Sequence, residues 1–131
     1  AEKFKTDITA SPIPRFDLLK FEDYLFVGVQ FSRGCPFTCE FCDIIELYGR
    51  VPRAKTPEQM LRELDRLYEL GYRGQVDFVD DNLIGNKKAV TDAVDKVADV
   101  VESKTPDSID DKVEMAAEKV KDVIENVTDE K

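Results

Sequence analysis

The stretch that decides the fold is "TPEQMLRELDRLYELGYRGQVDFVDD", residues 56–81. Its first part predicts a helix, because Thr56 suits the N-cap, Pro57 suits the first helical position and Gln59 completes a capping box. Gly71 is expected to end the helix as its C′ residue. The apolar residues of this segment fall mainly on one helical face: Met60, Leu61, Leu64, Leu67, Tyr68 and Leu70.

A predicted strand stands on each side of this helix. Residues 24–31, "YLFVGVQF", and residues 75–81, "QVDFVDD", are each expected to form a buried strand. The order strand, loop, helix, strand predicts a βαβ unit with parallel strands and an α/β fold class. Ligands of parallel sheets bind beyond the carboxyl ends of the strands. The loop after the first strand and "DDNLIGN", residues 80–86, are therefore expected to meet at one edge.

The composition of the chain changes near residue 88. All eight Phe and all four Tyr lie at or before Phe78. Residues 1–88 carry 13 basic and 15 acidic side chains, against 6 and 13 in residues 89–131, which makes −2 and −7 of the net charge of −9. Valines at helical spacing predict two amphipathic helices, at about 87–103 and 108–127, which either pack on the sheet or bind a partner. We therefore predict two domains divided at residue 88.

Composition also limits the classes of function. The chain has no histidine, which excludes a Ser-His-Asp triad, a Cys-His pair and zinc sites with His ligands. Its negative charge disfavours nucleic acid as a partner. No run approaches the roughly 18 apolar residues that span a bilayer. The first residues lack the apolar segment of a secretory signal, so a cytoplasmic protein is expected.

The three cysteines of the chain lie within one loop, "GCPFTCEFCDI", residues 34–44: Cys35, Cys39 and Cys42. Their odd number argues against a disulfide framework and favours a metal or redox centre. Iron–sulfur clusters take thiolate ligands, and a cubane usually takes four, so three would leave one iron open. A closed zinc site would need a carboxylate as well, such as Glu40 or Asp43. Three thiols without any metal are the other alternative.

At this point a resemblance to a known family emerges. "SRGCPFTCEFC", residues 32–42, resembles the signature loop of the radical SAM superfamily. Together with "PIPRFDLL" (12–19), "ELDRLYELGYRG" (63–74) and "FVDDNLIGN" (78–86), it is similar to those members that also carry an N-terminal cobalamin-binding domain. The resemblance covers about residues 10–90.

The resemblance implies a cluster site with a defined chemistry. Cys35, Cys39 and Cys42 would bind three irons of a [4Fe–4S] cluster, and S-adenosylmethionine (SAM) would chelate the fourth. The reduced cluster would cleave SAM to a 5′-deoxyadenosyl radical, which abstracts hydrogen from a substrate. An electron donor is therefore an implied partner, and cobalamin is implied only for the full-length protein of that family.

The resemblance also implies residues that bind SAM. Phe41 would lie near the adenine, and Asp80, Asp81 and Asn82 would lie near the methionine amino group. Acidic residues suit a cationic ammonium on electrostatic grounds. Without the resemblance, the same strand end also fits a solvated turn, and the two aspartates also fit a divalent cation.

The chain departs from this family in one respect. The family core is a partial, TIM-like barrel of several βα units, whereas this sequence predicts two strands and then an acidic helical segment that does not resemble the family. We therefore expect a truncated or chimeric fragment, with two amphipathic helices after one βαβ unit and an open barrel edge that allows self-association. Its status as an enzyme stays open. The alternatives are a non-catalytic α/β fragment without a functional cluster and a helical interaction module.

Overall fold

The computed structural model describes residues 6–103 and 110–126, and it divides the chain into two compact units between Gly85 and Asn86. The first unit contains, in chain order, β1 (Phe26–Val29), β2 (Ser32–Arg33), α1 (Ile44–Leu47), β3 (Arg53–Ala54), α2 (Pro57–Glu69) and β4 (Gln75–Phe78). Among the described residues, four single turns of 3-10 helix accompany them: Ile8–Ala10, Phe16–Leu18, Phe21–Asp23 and Leu83–Gly85.

The main sheet consists of β1 and β4, which run parallel. Phe26 lies opposite Gln75, and Val29 lies opposite Phe78. Since α2 lies between these strands in the sequence, the predicted βαβ unit and the α/β fold class are confirmed. Within the described part of the chain this sheet has two strands and forms no closed barrel.

The prediction that both strands are buried was wrong in part. Along β1 the residues alternate, with Val27 and Val29 buried and Phe26 and Gly28 exposed. No residue of β4 is buried, and the side chain of Phe78 is 48% exposed. A buried parallel strand needs cover on both faces and neighbours on both edges, and a two-stranded sheet provides one neighbour for each strand. The apolar runs were therefore a correct signal for strands but not for burial.

Helix α2 forms as predicted, because local interactions determine both of its ends. The Thr56 hydroxyl accepts a hydrogen bond from the Gln59 amide, and the Gln59 side-chain oxygen accepts one from the Thr56 amide, at 3.2 and 2.9 Å. Pro57 begins the helix, and Gly71 follows its end with a φ of +86°. The capping box, the N-terminal proline and the C′ glycine are thus confirmed.

The buried side of α2 combines core side chains with polar ones. Gln59 donates to the Thr9 carbonyl at 2.8 Å, which ties the first described residues to the helix. Glu63 pairs with Lys55 at 2.6 Å, and the side chain of Glu63 is buried, at 3% exposure, whereas that of Lys55 is 12% exposed. The apolar core of this unit comprises Phe16, Val27, Val29, Phe31, Met60 and Leu67.

The second unit contains α3 (Lys87–Glu102) and α4 (Asp110–Asn126). The Asn86 side chain caps α3 by accepting a hydrogen bond from the Ala89 amide at 3.1 Å. The two predicted helices are confirmed, although residues 108, 109 and 127 of the predicted second helix lie outside the described residues. The helices contact each other, and Lys121 of α4 pairs with Asp95 of α3.

Two predictions about the second unit stay predictions. Its packing on the sheet is one, and its origin as a segment separate from residues 1–88 is the other. Across the described parts of the chain, no helix combines the length and apolar character that a transmembrane span requires.

Candidate functional site at the carboxyl end of the parallel strands

A short antiparallel ladder closes the base of the cysteine loop. Ser32 of β2 pairs with Ala54 of β3, and the Cys35 amide donates to the Gly49 carbonyl at 3.2 Å. The ladder brings the two ends of the loop together just beyond β1. Sequence reasoning missed it, because strands of two residues show no periodicity.

Gly34 stands where this ladder leads into the loop. Its φ is +96°, and a Cβ at this position would lie 2.8 Å from the Val51 carbonyl oxygen and 3.1 Å from that of Gly49. Both the backbone conformation and the space therefore require glycine. The Gly34 amide also donates to the Asp81 carboxylate at 2.9 Å, which joins the beginning of the cysteine loop to the segment that follows β4.

Asp80 joins the ends of the two parallel strands. One of its carboxylate oxygens accepts hydrogen bonds from the amides of Phe31 and Ser32, at 2.7 and 3.1 Å, and the other lies 3.3 Å from the Ser32 hydroxyl. Burial raises the pKa of Asp80, and the hydrogen bonds from Ser32 and Phe31 oppose that rise. Both oxygens of Asp80 therefore face donors of the polypeptide, which gives this residue a structural role.

Asn82 follows Asp80 and Asp81 in the segment after β4, and its side chain contacts a cysteine. Its side-chain nitrogen lies 3.4 Å from the Cys35 sulfur. Its carbonyl accepts hydrogen bonds from the Ser32 hydroxyl and the Gly85 amide, both at 3.2 Å. The expectation that the cysteine loop and the segment after β4 meet at one edge of the parallel sheet is thus confirmed.

The three cysteines differ in exposure. Cys35 and Cys42 are half-buried and Cys39 is exposed, and all three are free thiols. Within the described residues no three Cys, Asp or Glu side chains are gathered around a position for one metal ion. A zinc ion requires such convergence. A cubane cluster likewise needs its three thiolates around one compact centre. Three soft thiolates on one loop therefore suit an iron–sulfur cluster by the type of donor.

Arginines stabilise the remainder of the loop. Arg50 donates to the Thr38 hydroxyl at 2.7 Å, and Arg53 donates to the Tyr48 carbonyl at 3.0 Å. The guanidinium of Arg33 lies over the Tyr48 ring, 4.4 Å from its centroid. The contacts of Arg50 and Arg53 were not predicted from the sequence.

The structure tests none of the predicted SAM contacts. The Phe41 side chain, expected near the adenine, is 92% exposed and therefore accessible to a stacking ligand. Asp80, Asp81 and Asn82 lie together at the strand end, but each of them already makes a hydrogen bond within the chain.

Comparisons with known proteins connect this chain to methyltransferases. No protein-family model matches it. An uncharacterized methyltransferase of Synechocystis is 66% identical over 86 residues, which are 66% of this chain and 16% of that protein. The hopanoid C-2 methylase of Rhodopseudomonas palustris is 57% identical over 67% of this chain and 17% of its own length. The hopanoid C-3 methylase of Methylococcus capsulatus is 37% identical over 50% of this chain and 14% of its own length.

Two facts follow from these similarities. Over about two thirds of its length the chain is homologous to proteins named methyltransferases or methylases. It spans less than a fifth of the length of each of these three relatives.

Proposed function

We propose that this chain is the cluster-binding part of a radical SAM methyltransferase, with Cys35, Cys39 and Cys42 as ligands of a [4Fe–4S] cluster. The observation that supports the proposal best is the contact between the Asn82 side chain and the Cys35 sulfur. It places the loop that carries the thiols beside the strand end that carries the acidic residues. Methyl transfer is proposed from the names of the homologues.

The residues of the chain would act as follows. The ladder of β2 and β3 and the tight turn at Gly34 fix where the loop begins and ends, so that the thiols are presented beyond the sheet. When bound, the cluster supplies the electron for the reductive cleavage of SAM. The protein itself holds and orients the two cofactors.

The SAM contacts belong to the same proposal. The carboxylates of Asp80 and Asp81 lie at the strand end and favour the cationic methionine ammonium. Asp81 is the better candidate for direct contact, because one hydrogen bond is found at its carboxylate, from Gly34, whereas both oxygens of Asp80 face donors of the chain. The exposed ring of Phe41 would stack on the adenine.

The substrate is a proposal for the whole protein. Two of the homologues are named hopanoid methylases, so a hopanoid is the substrate class that should be tested first.

The test is reconstitution of the chain with iron and sulfide in the absence of oxygen. We expect about four irons and four sulfides per chain and a spectrum of the reduced protein that changes when SAM is added. The variants Cys35→Ala, Cys39→Ala and Cys42→Ala should each lose most of the iron. Glu40→Gln, at an exposed position of the same loop but not at a thiol, is the matched control and should keep it.

Two results would contradict the proposal, and a third would limit it. Unchanged iron content in Cys35→Ala would exclude this thiol as a ligand. A wild-type chain that folds but binds no iron would favour a non-catalytic α/β fragment or a helical interaction module. A bound cluster whose spectrum does not respond to SAM would restrict this chain to cluster binding.

A further inference from the structure

Backbone hydrogen bonds and the space around its side chain position Asn82 beside the first cysteine. Its backbone carbonyl accepts two hydrogen bonds, from the Ser32 hydroxyl and the Gly85 amide. A Cβ added to Gly85 would lie 3.3 Å from the Asn82 amide carbon and 3.3 Å from Pro36, the residue after Cys35. The absence of a side chain at Gly85 thus leaves the space in which the Asn82 amide lies beside the loop.

The hydrogen bond that results is directed at a sulfur. Asn82 Nδ2 lies 3.4 Å from Cys35 Sγ, and these residues are 47 positions apart in the sequence. An amide N–H is a donor, whereas a thiolate is an acceptor without a donor of its own. The contact therefore strengthens when Cys35 carries negative charge, as it does when it binds iron.

We propose that Asn82 is a positioning residue that donates a hydrogen bond to the Cys35 thiolate and thereby raises the reduction potential of the cluster that this thiolate would hold. The inference rests on the proposed function. Reduction adds negative charge to the cluster and its thiolates, and a donor at one thiolate stabilises that charge. The family resemblance implies that Asn82 lies near SAM, whereas the geometry assigns its amide to the sulfur.

Three variants of the full chain test this inference after anaerobic reconstitution. Asn82→Leu has a similar size but no donor, and Asn82→Gln keeps the amide on a longer side chain. Asn126→Leu, at the exposed end of α4, makes the same chemical change away from the loop. The readouts are iron content, the midpoint potential from EPR-monitored redox titration, and the SAM concentration that half-saturates the spectral change.

We expect Asn82→Leu to keep its iron and to shift its midpoint potential to a more negative value. Asn82→Gln should recover part of that shift, and Asn126→Leu should match the wild type. The half-saturating SAM concentration should be the same in all four proteins, because the amide is bound to sulfur. If Asn82 had only a packing role, both Asn82 variants would change in stability and iron content. Asn82→Gln would then not recover the midpoint potential that Asn82→Leu had lost.

Each contrary outcome has a distinct meaning. Equal potentials in Asn82→Leu and the wild type overturn the inference and leave the proposed function intact. An unchanged potential together with weaker SAM binding in Asn82→Leu also overturns the inference, because this result would assign the amide to SAM. Loss of iron from both Asn82→Leu and Asn82→Gln assigns Asn82 to packing and also overturns it. A wild-type chain without iron refutes the proposed function and this inference together.

Discussion

Two glycines at the two ends of the cysteine loop are constrained to different degrees. Gly34 and Gly49 both have positive φ, of +96° and +87°, but a Cβ at Gly49 would meet no atom within 4 Å. Gly49→Ala should therefore cost the strain of a left-handed residue, about 1–2 kcal/mol. Gly34→Ala should cost clearly more, because its Cβ also collides with the Val51 carbonyl. Urea unfolding of the two variants measures the difference, and equal losses would show that the backbone relaxes around Gly34.

The contribution of Asp80 to stability follows from its hydrogen bonds. Asp80→Ala leaves the amides of Phe31 and Ser32 without their acceptor, and both residues are buried. An unsatisfied buried donor costs about 1–3 kcal/mol. Asp80→Asn keeps one carbonyl oxygen for both amides and should lose much less stability. Urea unfolding at neutral pH compares the two variants, and similar losses would contradict the assigned hydrogen bonds.

The same carboxylate predicts a dependence of stability on pH. Burial raises the pKa of Asp80 above its usual value of 3.8, so the folded state keeps the proton to a higher pH than the unfolded state does. As the pH rises from 3.8 through the folded pKa, the wild type therefore loses stability at this site. Asp80→Asn lacks this effect. The unfolding free energy of the variant minus that of the wild type should rise over this interval and then level off, and a falling difference would reverse the assigned shift.

The elements of the first unit are held together by a buried ion pair. Lys55 follows β3 and Glu63 lies in the middle of α2, and the second oxygen of Glu63 has no hydrogen-bond partner among the described residues. Lys55→Met leaves a buried carboxylate alone, and breaking such a pair costs about 3–5 kcal/mol. Lys88→Met, in the exposed pair with Asp92, is the matched control and should cost about 0.3–0.5 kcal/mol.

The double variant Lys55→Met/Glu63→Leu separates charge from packing. Replacement of both partners by apolar residues removes the desolvated charges and is often neutral or stabilising. We expect it to recover most of the loss in Lys55→Met, as measured by thermal unfolding. A double variant as unstable as Lys55→Met would mean that the shape of these two side chains, and not their charge, is what α2 requires.

The elements also show which part of the structure could be predicted from sequence. Helix α2 was predicted with its capping residues, because Thr56, Gln59 and Gly71 act on backbone groups within a few positions. The ladder of β2 and β3 was missed, since contacts between residues about 20 positions apart create it. The proximity of the cysteine loop to residues 80–86 could be predicted, because the carboxyl ends of parallel strands lie at the same edge of a sheet. The contact between Asn82 and Cys35 did not, because it depends on the space left at Gly85.

At the scale of the whole molecule, the candidate site and most of the negative charge lie in different parts of the chain. The hydrogen bonds that build the candidate site all join residues of the first unit. The second unit contributes an acidic pair of helices, and residues 89–131 carry −7 of the net charge of −9. We therefore propose that residues 1–88 contain everything that cluster binding requires.

A shortened chain of residues 1–88 tests that proposal. We expect it to bind as much iron and sulfide per chain as the full chain after the same reconstitution, because none of the site's described contacts involves α3 or α4. Its circular dichroism should keep the signal of α2, and the same short chain with Cys35→Ala is the negative control. A short chain that folds but binds no iron, while the full chain binds it, would show that the acidic helices are needed to complete or shield the site. The division at residue 88 would then be compositional and not functional.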